Sequence, residues 1–357
     1  MKKQTSWEEL SLKVILATYI ILCIIIASLN FGYAPSASEN TRAIIMKIWQ
    51  IYENEFKTLM IITASLLTLR IEKRRGRIGM RKRNLIGFII SALIIHILLS
   101  KLLRNPDLYF LAMPVPWTST GWKLMVPETE YYHHVFNLWG VGGITASLIF
   151  FLGINLTAFT GTLFFGRRWF CSSICLFNGF ASEIFSPIFP LIGKRKKASP
   201  GLLKFFSILG WILLSAGIVL TIFWILRSKG IQFKEGTHTL FDNLELVKYM
   251  SLELLMAMFF WVVFTGRGYC HYCPAGKILG MIGKLSDQKI NTNLTNCIAC
   301  GKCNTVCPMS IDIKTRAALG NPVTNNRCVG CGHCVDACPT ETLKYTTRFL
   351  SHRNSIP

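Results

Sequence analysis

Eight cysteines near the C-terminus form one pattern written twice, and no other feature of the chain restricts its fold as tightly. Cys297, Cys300, Cys303 and Cys307 precede Pro308; Cys328, Cys331, Cys334 and Cys338 precede Pro339. Each half reads C-x2-C-x2-C-x3-C-P, the bacterial spacing for iron–sulfur cubanes. Three thiolates at this interval curl a tight loop round three corners of a [4Fe-4S] cluster. The proline then launches the fourth cysteine away, toward the neighbouring cluster. The rule assigns Cys297, Cys300, Cys303 and Cys338 to one cluster, and Cys328, Cys331, Cys334 and Cys307 to the other. Structural zinc and disulfides are the bland alternatives, but zinc sites use C-x2-C pairs and do not need a cross-wired double repeat. The repeat predicts a bacterial-type 2[4Fe-4S] ferredoxin domain of the α+β class that moves single electrons.

What precedes this domain is too apolar for a soluble protein. The 357 residues are 51% hydrophobic, and the apolar ones come in blocks. These are 12–29, 56–69 (extended back through Ile51), 85–103, 138–165, 203–226 and about 249–264. Most reach the roughly 20 residues a helix needs to cross a bilayer, and the second and sixth are marginal. The third to fifth show no wide polar face, which argues against buried helices of a soluble protein. Lys2 and Lys3 before the first block mimic a signal peptide, but the run is long and Glu8 and Glu9 precede it, so it reads as a retained helix. The expected fold is an α-helical integral membrane protein of about six transmembrane helices with the ferredoxin domain at its C-terminus. The expected divisions are 1–137 (three helices and an external loop), 138–290 (three helices), 291–347 (ferredoxin) and a tail, 348–357.

The formal net charge of +21 fits topology better than nucleic-acid binding, because no soluble module shows a basic face. Arg70, Lys73, Arg74, Arg75, Arg77, Arg81, Lys82 and Arg83 lie between the second and third blocks with one acid, Glu72. Arg167, Arg168, Lys194, Arg195, Lys196 and Lys197 lie between the fourth and fifth with Glu183. The 104–137 connection is balanced. Basic loops stay in the cytoplasm, so the expectation is a multi-pass protein of the cytoplasmic (inner) membrane. Both termini and the ferredoxin domain then face the cytoplasm, where thiols stay reduced.

A weaker repeat joins the membrane blocks to the clusters. Gly166-Arg167-Arg168-Trp169-Phe170-Cys171-Ser172-Ser173-Ile174-Cys175 follows the fourth block, and Gly266-Arg267-Gly268-Tyr269-Cys270-His271-Tyr272-Cys273-Pro274 follows the sixth. Each has Gly-Arg, an aromatic and a close cysteine pair. The arginines are expected at lipid headgroups and the aromatics in the interfacial belt. Cys171, Cys175, Cys270 and Cys273 are candidates for a third cluster, another soft metal or redox-active dithiols. The alternative is small buried residues at helix ends.

On these motifs, from about 138 to 345, the chain resembles the membrane-bound polyferredoxins of the NapH type, which accompany periplasmic nitrate reductase, and their YccM-like and NosR-like relatives. That family carries two C-x3-C-P motifs at cytoplasmic helix ends and a double ferredoxin tail. Here Leu176 stands where the first motif has proline, and Cys270 and Cys273 are one residue closer than the second motif has them. The resemblance implies an electron-transfer subunit between the quinone pool and a partner reductase, with a quinol dehydrogenase-type role if it acts as an enzyme. Its partners would be redox proteins, either ferredoxin-like or reductase subunits.

His96 in the third block and Glu253 in the sixth are ionisable groups at membrane depth, where charge is costly and usually faces a cavity or a partner. Quinol oxidation needs proton acceptors, and both residues are suitable types. The alternative is a hydrogen bond to a neighbouring helix for His96 and reach to the interface for Glu253. His133 and His134 are expected in the external loop, where adjacent histidines ill suit one metal. The Met113-Pro114-Val115-Pro116-Trp117 stretch is expected on the membrane surface or against a partner. Cys23 reads as packing. No phosphate-binding glycine loop occurs. A different class of function stays open, an assembly factor reducing copper or a disulfide for another respiratory complex, with the four helix-end cysteines as working thiols. A redox sensor is a third.

Overall fold

The computed structural model describes residues 6–353 except 77, 195, 235 and 294–295. Arg77 and Arg195 of the two basic loops, and the end of the 348–357 tail, lie outside the described residues.

Among the described residues, five helices are long and apolar enough to cross a membrane: Trp7–Ser36, Gly79–Leu102, Glu130–Phe165, Pro200–Ser228 and Thr237–Val263. The expected second block lies in a continuous helical run formed by Glu39–Ile51, Tyr52–Phe56 and Lys57–Arg75. It is not one of the five, and Glu53, Glu55 and Lys57 near its middle account for the difference. Local signals fix the starts. Ser6 caps the first helix through Glu9 N at 3.3 Å, with Glu8 and Glu9 in the favourable first turn. Ser199 caps Pro200–Ser228, whose proline occupies the first turn. Ile21, Ile149, Leu156, Ile212, Val219 and Phe259 project outward, a belt of a kind that a water-facing surface rarely carries.

Two connections differ from expectation. Glu130–Phe165 begins before the apolar block and breaks its helical geometry at Trp139 and Gly140. His133 and His134 therefore stand on a helical turn rather than in a loop, and His134 Nε2 meets Asp107 at 2.8 Å. The Met113–Trp117 stretch does not lie on the surface. Met113 and Trp117 are buried, because the segment turns back between the helices. Asn105 Nδ2 donates to Ser147 Oγ at 2.9 Å and Val115 N donates to Asn155 Oδ1 at 2.8 Å. Pro116 backs onto Gly217, where a side chain would strike its carbonyl. Asn155 is ten residues from the end of its helix, roughly 15 Å along the axis. Irregular backbone at that depth is tolerated because protein, not lipid, surrounds it.

The C-terminal domain is built on a two-stranded antiparallel sheet, β1 (Lys289–Thr292) and β2 (Leu343–Thr346), with Ile290 opposite Tyr345. The sheet thus begins two residues before the expected boundary. Short helices Lys302–Val306, Lys314–Ala318 and His333–Asp336 complete the domain. It docks on the helix ends. Asp336 caps Gly79–Leu102 through Met80 N (3.1 Å) and Arg81 N (2.9 Å). Tyr345 Oη donates to the Phe165 carbonyl at 2.8 Å, and Ala198 N to Ser310 Oγ at 3.0 Å. Both basic connections therefore gather at the ferredoxin end.

Candidate redox site

The two halves of the tail repeat fold alike. Backbone turns of left-handed sense occur at Ala299 and Gly301 in one half and at Gly330 and Gly332 in the other. Cys307, Cys328, Cys331 and Cys334 line one hollow, against Ile290, Met309 and Val323. Cys297, Cys300, Cys303 and Cys338 line another, beside Ala317 and Leu343. Each hollow thus draws three thiols from one repeat and one from the other. Among the described residues, the compact donor group with ligand atoms within 4.8 Å of one another is Glu183, Cys331 and His333. Two open, apolar-backed quartets fit cubanes. Such clusters supply one-electron transfer when bound.

The quartets differ in depth. Cys331 and Cys334 are buried, whereas Cys300 is exposed. Asn84 Nδ2 donates to the Cys331 carbonyl at 2.8 Å and Ser172 Oγ to the Val329 carbonyl at 2.8 Å. The Cys328 loop therefore faces the ends of the long apolar helices, and the Cys297 loop, with Cys300 exposed, faces solvent.

The helix-end cysteines converge. Cys175 lies within electrostatic reach of Cys171 and Cys270, and Cys273 of all three others. Asn178 Nδ2 donates to Cys270 Sγ at 3.1 Å, Arg267 Nη1 approaches the same sulfur at 3.8 Å, and Gly276 N donates to Cys273 Sγ at 3.4 Å. Burial pushes the Cys175 thiol up to about 11, so this pocket favours a neutral thiol unless a cation is present. His271, between the second pair, is held neutral by burial and then by Arg327 and Arg167, its pKa lowered to about 3.

The repeated arginines are not at headgroups. Arg267 is 1% exposed; it donates to the Cys171 carbonyl at 2.8 Å and to Glu183 Oε1 at 2.7 Å. The other Glu183 oxygen meets His333 Nε2 at 3.0 Å. Burial opposes ionisation of Glu183, but His333, Arg267 and Arg81 outweigh it and hold the carboxyl well below the usual range. Arg167 is likewise buried, donating to the Asn326 carbonyl at 2.7 Å. Of the paired aromatics, Tyr269 is buried rather than interfacial. The charges are internal because two docked domains, not lipid, surround them.

Farther from the ferredoxin domain lies a narrow cavity lined by His96, Glu53, Lys57, Tyr109, Tyr249 and Trp117, among others. Leu176 and Phe177, next to Cys175, form part of its wall. Lys57 Nζ pairs with Glu53 at 2.7 Å, both buried. Neither His96 nitrogen meets a hydrogen-bond partner among the described residues. Glu253 lies outside this lining, in an adjoining cleft; it accepts from Lys248 at 3.1 Å and Tyr269 at 2.9 Å. Glu53, His96 and Glu253 each sit in a wide, π-type turn: Tyr52–Phe56, Leu93–Leu99 and Lys248–Leu255. Such turns often mark functional positions in helices. The sequence singled out His96, which lines this cavity, and Glu253, which does not; it did not single out the cavity's Glu53 and Lys57. Opposite charges four residues apart, Glu53 and Lys57, at the start of a marginal apolar block were the signal. Cys23 is fully buried in the core, as expected.

Fold and site together define an iron–sulfur electron-transport protein with helices suited to a membrane. Residues 289–339 match the 4Fe-4S dicluster domain family. Over 74 residues, 20% of the chain, it is 32% identical to the putative electron transport protein YccM of Escherichia coli (strain K12). The chain spans about a fifth (21%) of the length of that curated relative. No solved structure matches. The resemblance to YccM-like polyferredoxins is borne out.

Proposed function

We propose that this protein is a multi-pass membrane electron carrier that takes electrons from quinol and passes them to a redox partner at its ferredoxin face. Glu39–Arg75 is the sixth crossing, and the basic connections put the ferredoxin end in the cytoplasm, at the inner membrane. Cys297, Cys300, Cys303 and Cys338 hold the outer tail cluster; Cys328, Cys331, Cys334 and Cys307 hold the inner one. Cys171, Cys175, Cys270 and Cys273 hold a third. The observation that carries this reading is the series itself. The buried cavity abuts Leu176 and Phe177, the helix-end thiols follow, then the buried Cys328 loop, then the exposed Cys300. The aromatic lining suits a quinone ring, and Glu53 and His96 are the groups able to accept its protons.

An assembly role, with the same four cysteines reducing a metal or disulfide, fits less well. Exchange chemistry needs an attacking thiol with access to its partner, and Cys171 is buried while Asn178 and Gly276 contact the sulfurs of Cys270 and Cys273.

The test is anaerobic purification with iron and sulfide quantitation, followed by redox-titrated EPR with and without a quinol analogue. Three cubane signals, with those nearest the membrane reduced by quinol, are expected. Bound zinc in place of iron would reject the reading.

A further inference from the structure

Oxidising a quinol breaks two O–H bonds, sends two electrons singly into iron–sulfur centres, and leaves two protons that must cross protein to reach water. This inference rests on the quinone site proposed above. Phe110, Trp117 and Tyr249 form a wall of the His96 cavity and also line the second cleft, which contains Glu253, Lys248, Glu245, Lys123 and Asp242. Polar contacts form two clusters along that cleft, one round Glu253 and one round Glu245. Tyr269 and Lys248 donate to Glu253 (2.9 and 3.1 Å), and Lys248 also donates to the Trp117 carbonyl (2.7 Å). Lys123 Nζ meets Glu245 at 3.0 Å and Asp242 at 2.6 Å. Ser119 donates to Glu245 through both N and Oγ, each at 2.9 Å.

Exposure rises along the series. The side chain of Glu253 is 1% exposed, Glu245 12% and Asp242 42%. A purely structural ion pair would need one acid and one base at such a cost in apolar surroundings. Here three acids and two bases are strung from a sealed interior to an open end.

We propose that this cleft is a proton exit path from the quinone cavity to the face opposite the ferredoxin domain. Glu253 accepts the proton leaving the cavity, the Lys248 and Glu245 groups relay it, and Asp242 gives it to water. The two electrons leave the other way, through the cysteine sites. Tyr269 adjoins both routes, bonded to Glu253 and preceding Cys270 in the chain.

The test uses the full-length protein with its clusters, sealed in liposomes holding a pH dye. Menadiol is the probe donor, and ferricyanide outside accepts electrons only from molecules whose ferredoxin domain faces out. The lumen should acidify in step with ferricyanide reduction. Glu245→Gln and Asp242→Asn should each slow turnover by about tenfold or more while iron content stays at the wild-type level. Equal turnover in both variants, or protons appearing outside instead, overturns the path alone. Failure of the wild type to oxidise menadiol, with no quenching of Trp117 by quinone, removes the quinone site and the path with it.

Discussion

Arg267 and Glu183 meet at 2.7 Å with side chains 1% and 0% exposed, and the pair ties the two domains of the molecule to each other. On one side Arg267 touches the Cys171 carbonyl and Cys270. On the other, Glu183 holds His333, which stands between Cys331 and Cys334. A charge pair this deep adds little net stability, yet breaking it strands a buried cation. It fixes how the ferredoxin loop sits against the helix ends.

Glu183→Ala should therefore cost about 3–5 kcal/mol of stability. Denaturant unfolding followed by loss of cluster absorbance measures it. Glu183→Gln, which keeps hydrogen-bonding capacity, should fall between that variant and wild type. A cost under about 1 kcal/mol for the alanine variant would show that the pair does not hold the domains.

The two tail quartets should respond differently to substitution. Cys303→Ser removes a ligand from the solvent-facing set and should abolish one cubane signal while leaving quinol-driven reduction of the inner centres intact. Cys331→Ser removes a ligand from the buried set and should interrupt the relay, so that the outer cluster is reduced by dithionite but no longer by quinol. Identical behaviour of the two variants would contradict the proposed order.

Much of this was legible in the sequence because thiol spacing is a local constraint. The positions of Cys297 to Cys338 dictate two hollows whatever surrounds them, and the apolar blocks near residues 12, 85, 138 and 203 announced their helices directly. What the sequence hid was long-range. Met113–Trp117 reads as an apolar surface stretch because nothing local says that Asn155 and Gly217 will receive its backbone. Arg167 and Arg267 follow apolar helices as headgroup arginines do, and only the docking of the ferredoxin domain encloses them. Glu53 and Lys57 fall at the start of the marginal second block, where no local signal sets them apart from an ordinary surface pair. The wide turns that carry Glu53, His96 and Glu253 have no sequence signature of their own.

Topology gives an independent check. The 70–83 connection and the ferredoxin domain lie together, through Asp336 at Met80 and Arg81. A reporter active only in the cytoplasm, fused after Pro357, should be active, and a cysteine placed near Asp242 should react with an impermeant thiol reagent from the opposite side. Activity of a periplasm-dependent reporter after Pro357 would invert the proposed orientation.

The helix-end cysteines decide between the two classes of function. A cubane needs its thiolate ligands, so Cys171→Ser or Cys270→Ser should each lower iron by about four atoms per chain and leave the two tail clusters in place. Arg267 and Asn178, which contact Cys270, would then modulate the potential of that centre, so Asn178→Ala should shift its EPR midpoint without changing iron content. Exchange chemistry predicts the reverse pattern: unchanged iron in the serine variants, with loss of a thiol that alkylates in the wild type. Burial of Cys171 and the hydrogen bonds to Cys270 and Cys273 favour the first outcome. Full iron, full electron transfer and unaltered thiol reactivity in the Cys171→Ser/Cys270→Ser double variant would leave these four residues as packing alone.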